Sequence, residues 1–191
     1  MDSVGSVRTS LSHPLRIDEV TAGDSGGLIG IMFCPGKRGP GSWGYRWERD
    51  LKLDLDAVAK WQPNAMLTLI EDHEFNMLGV PDLGAQVCAR GIEWYHLPIP
   101  DVDVPDERFE VAWRSCGAKL IGLLRGGGRV LVHCRGGLGR AGMIAARLLV
   151  ELGILPTDAI RRVRAARPRA IETHAQAQYV LNLPSRLGAH K

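Results

Sequence analysis

The residues best suited to chemistry form one run, His133-Cys134-Arg135-Gly136-Gly137-Leu138-Gly139-Arg140. It lies between a short apolar strand, Arg129 to His133, and an expected helix from Ala141 to Leu152. Glycines at 136, 137 and 139 let the backbone curl so that successive amides point inward. Such a nest, closed by a helix N-terminus, is an anion site. Arg135, Gly136, Gly137, Leu138 and Gly139 can therefore surround a phosphate. The same field favours the thiolate of Cys134, the nucleophilic form of a cysteine. A thiolate can attack phosphorus and give a phosphocysteine. Arg140 closes the loop, and its planar fork can grip two phosphoryl oxygens at once, which a lysine cannot. His133 is expected to orient the loop through hydrogen bonds and not to act as the base.

Expelling an alkoxide needs a proton, so a carboxylic acid must stand above the loop. Asp101, Asp103 and Asp106 are the candidates. Asp101 follows closely on a strand end, whereas Asp106 is better explained as the N-cap of a helix running to Arg125. Glu71-Asp72-His73-Glu74 also follows a strand and could line the pocket, with a solvated loop the favoured reading. Arg161, Arg162, Arg164, Arg167 and Arg169 spread around a helix and read as a solvated face. The tryptophans at 43, 47, 61, 94 and 113 read as core or pocket wall, with Trp43 and Trp47 in a glycine-rich loop where substrate can reach them.

The elements that must position these residues alternate. Apolar runs at 28–33, 66–70, 92–97 and 129–133 read as strands. Segments 50–61, 81–90, 106–125, 141–152, 157–167 and 172–183 read as helices, with 34–44 a loop and the first dozen residues flexible. That alternation argues for an α/β fold with a mostly parallel central sheet flanked by helices. A length of 191 residues suits one domain, here taken as the whole chain. A formal net charge of +3 gives no ground for nucleic acid as a partner. No apolar run is long enough for a membrane span, and Met1 to His13 has no apolar signal core, so a cytoplasmic protein without membrane association is the expectation. The other cysteines, Cys34, Cys88 and Cys116, are widely spaced. They suggest neither disulfides nor a metal site, and read as small buried hydrophobes.

The loop resembles the His-Cys-x-x-Gly-x-x-Arg signature of the protein tyrosine and dual-specificity phosphatases. Its fuller form, His-Cys-Arg-Gly-Gly-Leu-Gly-Arg, is similar to the cyclin-dependent kinase-associated phosphatase group. His96-Leu97-Pro98-Ile99-Pro100-Asp101 resembles that group's acid loop. Ala170-Ile171-Glu172-Thr173 with Gln176 and Tyr179 resembles its carboxyl-terminal helix motif. The likeness covers roughly residues 28–187. It implies the phosphotyrosine protein phosphatase-like fold, hydrolysis of a phosphorylated protein or small phosphomonoester, and no metal or cofactor. It also implies Asp101 as general acid and Gln176 as a residue that positions the hydrolytic water.

One position departs from the pattern. A Ser or Thr usually follows the arginine, and here Ala141 stands in its place. Without that hydroxyl, phosphocysteine formation should survive and its breakdown should slow. Two other readings stay open: a phosphate-binding module with little turnover, and a rhodanese-like or arsenate reductase-like enzyme.

Overall fold

A computed structural model describes residues 6–41 and 44–184. In chain order the elements are β1 (Val7–Arg8), β2 (Asp18–Thr21), a 3-10 turn (Gly23–Ser25), β3 (Leu28–Phe33), β4 (Arg38–Pro40), β5 (Arg46–Glu48), α1 (Leu51–Trp61), β6 (Ala65–Thr68), α2 (Asp72–Met77), α3 (Leu83–Cys88), β7 (Glu93–His96), α4 (Glu107–Arg125), β8 (Arg129–Cys134), α5 (Gly139–Glu151), α6 (Pro156–Ala166) and α7 (His174–Leu181).

The central sheet has the order β2-β3-β8-β6-β7. Its pairs are parallel except at the β2 edge. The inner strands carry no polar face. Val130 and Val132 enter one core while Leu131 enters the other, and Leu67 and Met66 divide in the same way. Successive side chains leave a strand on opposite faces, so unbroken apolar runs suit a parallel sheet covered on both sides. Residues of α1 and α3 fill one core, and those of α4, α5, α6 and α7 fill the other.

Two helix starts are fixed by local chemistry. Asp50 accepts from the Leu53 amide at 2.9 Å, and Asp106 from the Phe109 amide at 2.8 Å. Helix α5 is buried from Gly139 to Val150, so its amino end opens beneath other chain segments. Its two arginines are each answered by carboxylates. Arg147 meets Glu110 at 2.5 Å and Glu151 at 2.9 Å, and also the Tyr179 hydroxyl, which ties α4 and α7 to α5.

Several expectations need correction. The expected loop at 34–44 contains β4, which joins β1 and β5 in a small second sheet. The expected flexible start contains β1; residues 1–5 and Trp43 lie outside the described residues. Glu71 to Glu74 is not a loop: Glu71 caps α2 in a box with Glu74. Cys88 is exposed, because it ends a six-residue helix at the surface, while Cys34 and Cys116 are buried as expected.

Candidate active site

Strand β8 delivers Cys134 to the carboxyl edge of the sheet, and α5 begins five residues later. The loop between them is held from outside by its carbonyls. Arg135 O accepts from the Cys34 amide and from Lys37 Nζ, each at 3.3 Å. Gly136 O accepts from Arg167 Nη2 at 3.2 Å, and Gly137 O from Arg167 Nε. Leu138 O accepts from the Gly142 amide at 2.9 Å and the Ile171 amide at 3.3 Å. With the carbonyls turned out, the amides of Arg135, Gly136, Leu138 and Gly139 meet no acceptor among the described residues. That is the donor ring an anion requires. Gly137 is sterically obligatory, and Gly139 is closely packed by side chains. A Cβ on Gly137, whose φ is +69°, would lie 2.4 Å from the Met32 backbone. A Cβ on Gly139 would lie 2.6 Å from Glu172 and 2.9 Å from Gln176.

Cys134 is 3% exposed, and the Gly137 amide points at its sulfur from 3.2 Å. His133 behind it is fully buried. The Trp94 indole donates to Thr68 Oγ1 at 2.8 Å, and the same hydroxyl lies 2.8 Å from His133 Nε2. Nδ1 faces the Cys134 carbonyl at 3.4 Å, and since a carbonyl can only accept, this contact puts the proton on Nδ1 and leaves Nε2 to accept from the Thr68 hydroxyl. Burial lowers the imidazole to about 3, so it stays neutral, with both ring nitrogens placed for hydrogen bonds.

Arg140 is 1% exposed. Its Nη1 and Nη2 donate to the two oxygens of Glu74 at 2.6 and 3.0 Å, and Nη1 also reaches the Ile99 carbonyl at 3.0 Å. Glu74 is equally buried and also accepts from the Glu71 amide at 2.8 Å. Burial works to raise the Glu74 carboxyl, but the Arg140 and Glu71 hydrogen bonds and the Arg140 charge outweigh it, so the net shift is downward. Arg140 Nε is a buried side-chain atom with no hydrogen-bond partner among the described residues. A buried donor left unmade is costly and marks a place where a ligand belongs.

Asp101 is the one acid candidate brought to the loop. Its Oδ1 lies 2.8 Å from Arg140 Nη2, and its Oδ2 3.9 Å from Arg135 Nη1. Asp103 instead accepts from the Val104 amide at 2.8 Å, and Asp106 caps α4. Val102, beside Asp101, is a β-branched residue at φ +58°, a conformation that costs on the order of 1–3 kcal/mol and recurs at functional sites. Gln176 is fully buried. Its Oε1 accepts from the Glu172 amide at 3.0 Å, and its Nε2 donates to the Asp103 carbonyl at 3.2 Å. It thus joins the acid loop to the floor beneath Gly139. Asp101 and the loop residues Arg135, Gly136 and Leu138 line a cavity of about 730 Å³ whose wall also includes Phe33, Lys37 and Trp47.

Sequence reasoning missed Lys37 and Arg167, and offered Glu74 only as the less favoured pocket-lining reading. Only Glu74 left a local trace, the Glu71-x-x-Glu74 capping spacing.

A family model described as PTP-SAK, Swiss Army Knife protein, DSP-PTPase phosphatase domain, matches residues 54–180. The chain belongs to the dual-specificity phosphatase superfamily. Within it, cyclin-dependent kinase inhibitor 3 of Rattus norvegicus is 35% identical over 145 residues, 74% of this chain and 67% of that protein. A crystal structure of kinase associated phosphatase, carrying serine for its catalytic site cysteine, superposes with a TM-score of 0.77 at 26% identity, over 93% of this chain and 98% of the other. Tk-PTP in its active form gives a TM-score of 0.58 at 30% identity, over 80% and 88% of the two chains. The dual-specificity phosphatase fold and the kinase-associated phosphatase group expected from the loop are therefore both found. No helix among the described residues is long and apolar enough to cross a membrane.

Proposed function

We propose that this dual-specificity phosphatase hydrolyses phosphomonoesters in two steps through a phosphocysteine on Cys134. The observation that carries the reading is the pairing of a sulfur met by the Gly137 amide with a buried arginine whose Nε has no partner among the described residues. A phosphate seated in the nest takes the free amides, Arg140 Nε, and the Nη2 donor that Asp101 now holds. Glu74 braces the opposite edge of the guanidinium, so the fork is already aimed. Such preorganised donors follow the equatorial oxygens into the transition state.

In the first step the Cys134 thiolate forms the S–P bond. The ester P–O bond breaks, and the leaving oxygen takes the proton of the Asp101 carboxylic acid. In the second, water attacks phosphorus, its proton passes to the Asp101 carboxylate, and the sulfur departs with its electron pair. Gln176, tied to both the acid loop and the loop floor, orients that water. The substrate is a phosphorylated protein side chain, whose residue can spread over the Phe33 and Trp47 wall. Ala141, fully buried and without a hydroxyl, favours a second reading in which turnover is slow and binding dominates.

The test is hydrolysis of para-nitrophenyl phosphate and of phosphopeptides, with thiosulfate and arsenate alongside. Phosphate release by wild type and none by Cys134→Ser is expected. Activity on thiosulfate or arsenate alone would contradict the proposal, and phosphopeptide binding without release would favour the second reading.

A further inference from the structure

Four cationic side chains are buried among the described residues: Lys37, Arg49, Arg140 and Arg147. Three have carboxylates of their own. Arg49 pairs with Asp54 at 2.7 Å, Arg140 with Glu74 at 2.6 Å, and Arg147 with Glu110 at 2.5 Å. Lys37, 7% exposed, has no carboxylate within ion-pair distance among the described residues. Its Nζ donates to the Arg135 carbonyl at 3.3 Å and stands 4.5 Å from the ring centres of both Phe33 and Trp47. Ring faces attract a cation without neutralising it. A buried charge normally has a partner, because leaving it alone costs several kcal/mol. The partner of Lys37 must therefore be an anion formed at the site.

Position narrows the choice. Lys37 follows Cys34-Pro35-Gly36 just past β3, whose last residue, Phe33, is in register with Cys134. It also lines the cavity that Arg135 and Asp101 line. The groups acting on it electrostatically are the Cys34 and Cys134 sulfurs, which as thiolates would favour the ammonium, and Arg49 and Arg135, which oppose it. Arg49 is answered by Asp54, and Asp101 faces Arg140 and Arg135. Burial pushes the Cys34 thiol far up, so Cys34 stays protonated. Of the two sulfurs Cys134 remains, next in the chain to the Arg135 carbonyl that Lys37 holds.

We propose that Lys37 is a positioning residue for the phosphatase reaction: its ammonium is the counter-charge of the Cys134 sulfur, and it takes over the work of the hydroxyl that Ala141 lacks. The proposal rests on the phosphocysteine reading above. When water attacks phosphorus and the S–P bond breaks, the electron pair stays on sulfur, and the buried ammonium stabilises that thiolate while its proton remains on Nζ. The hydrogen bond to Arg135 O keeps the first carbonyl of the loop turned outward. Burial also brings the amine down to about 8, so the charge is present below that pH and lost as pH rises through it.

Lys37→Met removes the charge and keeps most of the stem, and Lys37→Arg keeps the charge. Iodoacetamide alkylation of Cys134, followed by peptide mass spectrometry across pH, reads the thiolate. Rapid mixing with an activated aryl phosphate reads burst and steady phases. In Lys37→Met, alkylation at pH 6 and the steady rate should each fall roughly tenfold or more, with the alkylation profile moved to higher pH. Lys37→Arg should stay near wild type and carry the alkaline limb of the steady rate to higher pH. Adding Ala141→Ser to Lys37→Met should restore part of the steady rate. Lys37→Met should melt no lower than wild type, since an unpaired buried charge has been removed. An unchanged alkylation profile in Lys37→Met, or equal damage in Lys37→Arg, overturns the proposal. Wild-type protein with no burst and no preferred alkylation of Cys134 overturns the phosphocysteine reading, and this proposal with it.

Discussion

Glu74→Gln removes one charge and exchanges one acceptor for a donor, leaving size nearly unchanged. In the native site both carboxylate oxygens accept from Arg140, and both side chains are 1% exposed. The new amide group must turn an N–H toward a guanidinium that has only donors. Breaking one side of a buried pair costs about 3–5 kcal/mol. The lower end applies here, because the half-exposed Asp101 still faces Arg140 Nη2 at 2.8 Å. For a chain of this size, about 3 kcal/mol lowers Tm by roughly 6–12 °C. The guanidinium also loses its brace, and misaimed transition-state donors should lower kcat/KM about 10²-fold. The pH dependence supplies a control. Glu74 is held below its ordinary value in the fold, so its contribution is present above about pH 4.3 and is lost as pH falls further. The Tm gap between variant and wild type should therefore narrow in acid. Thermal melts from pH 3 to 7, with aryl phosphate kinetics at pH 6, make the assay. A variant that melts with wild type at neutral pH and keeps its kcat/KM would refute the brace.

Asp101→Asn should lower kcat most for alkyl phosphates with basic leaving groups and little for activated phenols, a trend that a leaving-group series measures. The same variant should bind vanadate more tightly in a competition assay, since the carboxylate that now occupies Arg140 loses its charge. Ala141→Ser should speed the steady phase after a burst and leave the burst rate unchanged, read by stopped flow; its gain should stay below about tenfold, because backbone amides and the helix dipole already favour the thiolate.

What the sequence showed and what it hid divide by range. The phosphate loop was legible because strand, glycines and helix are contiguous, and the strand ends at the cysteine it presents. Asp106 was legible as a cap for the same local reason. Glu74 was hidden because a Glu-Asp-His-Glu run looks solvated, and its partner lies 66 residues away. Lys37 acts on a carbonyl 98 residues away, and Arg167 on one 30 residues away. No periodicity reports such contacts, and Arg167 was read as part of an exposed basic face. Gln176 was assigned to the site by resemblance, but its burial and its tie to Asp103 follow from tertiary packing alone. The small second sheet escaped because its strands are two or three residues long and lie among glycines and prolines.

The central step of the proposed reaction is a covalent bond between Cys134 and phosphorus. Rapid quenching of wild-type protein during turnover of a labelled aryl phosphate, followed by peptide mass spectrometry, tests this directly. The label should appear on the peptide containing Cys134, build up within the burst, and decay at the steady rate. It should be missing from Cys134→Ser. Label on another residue, or full turnover by Cys134→Ser, would contradict the account.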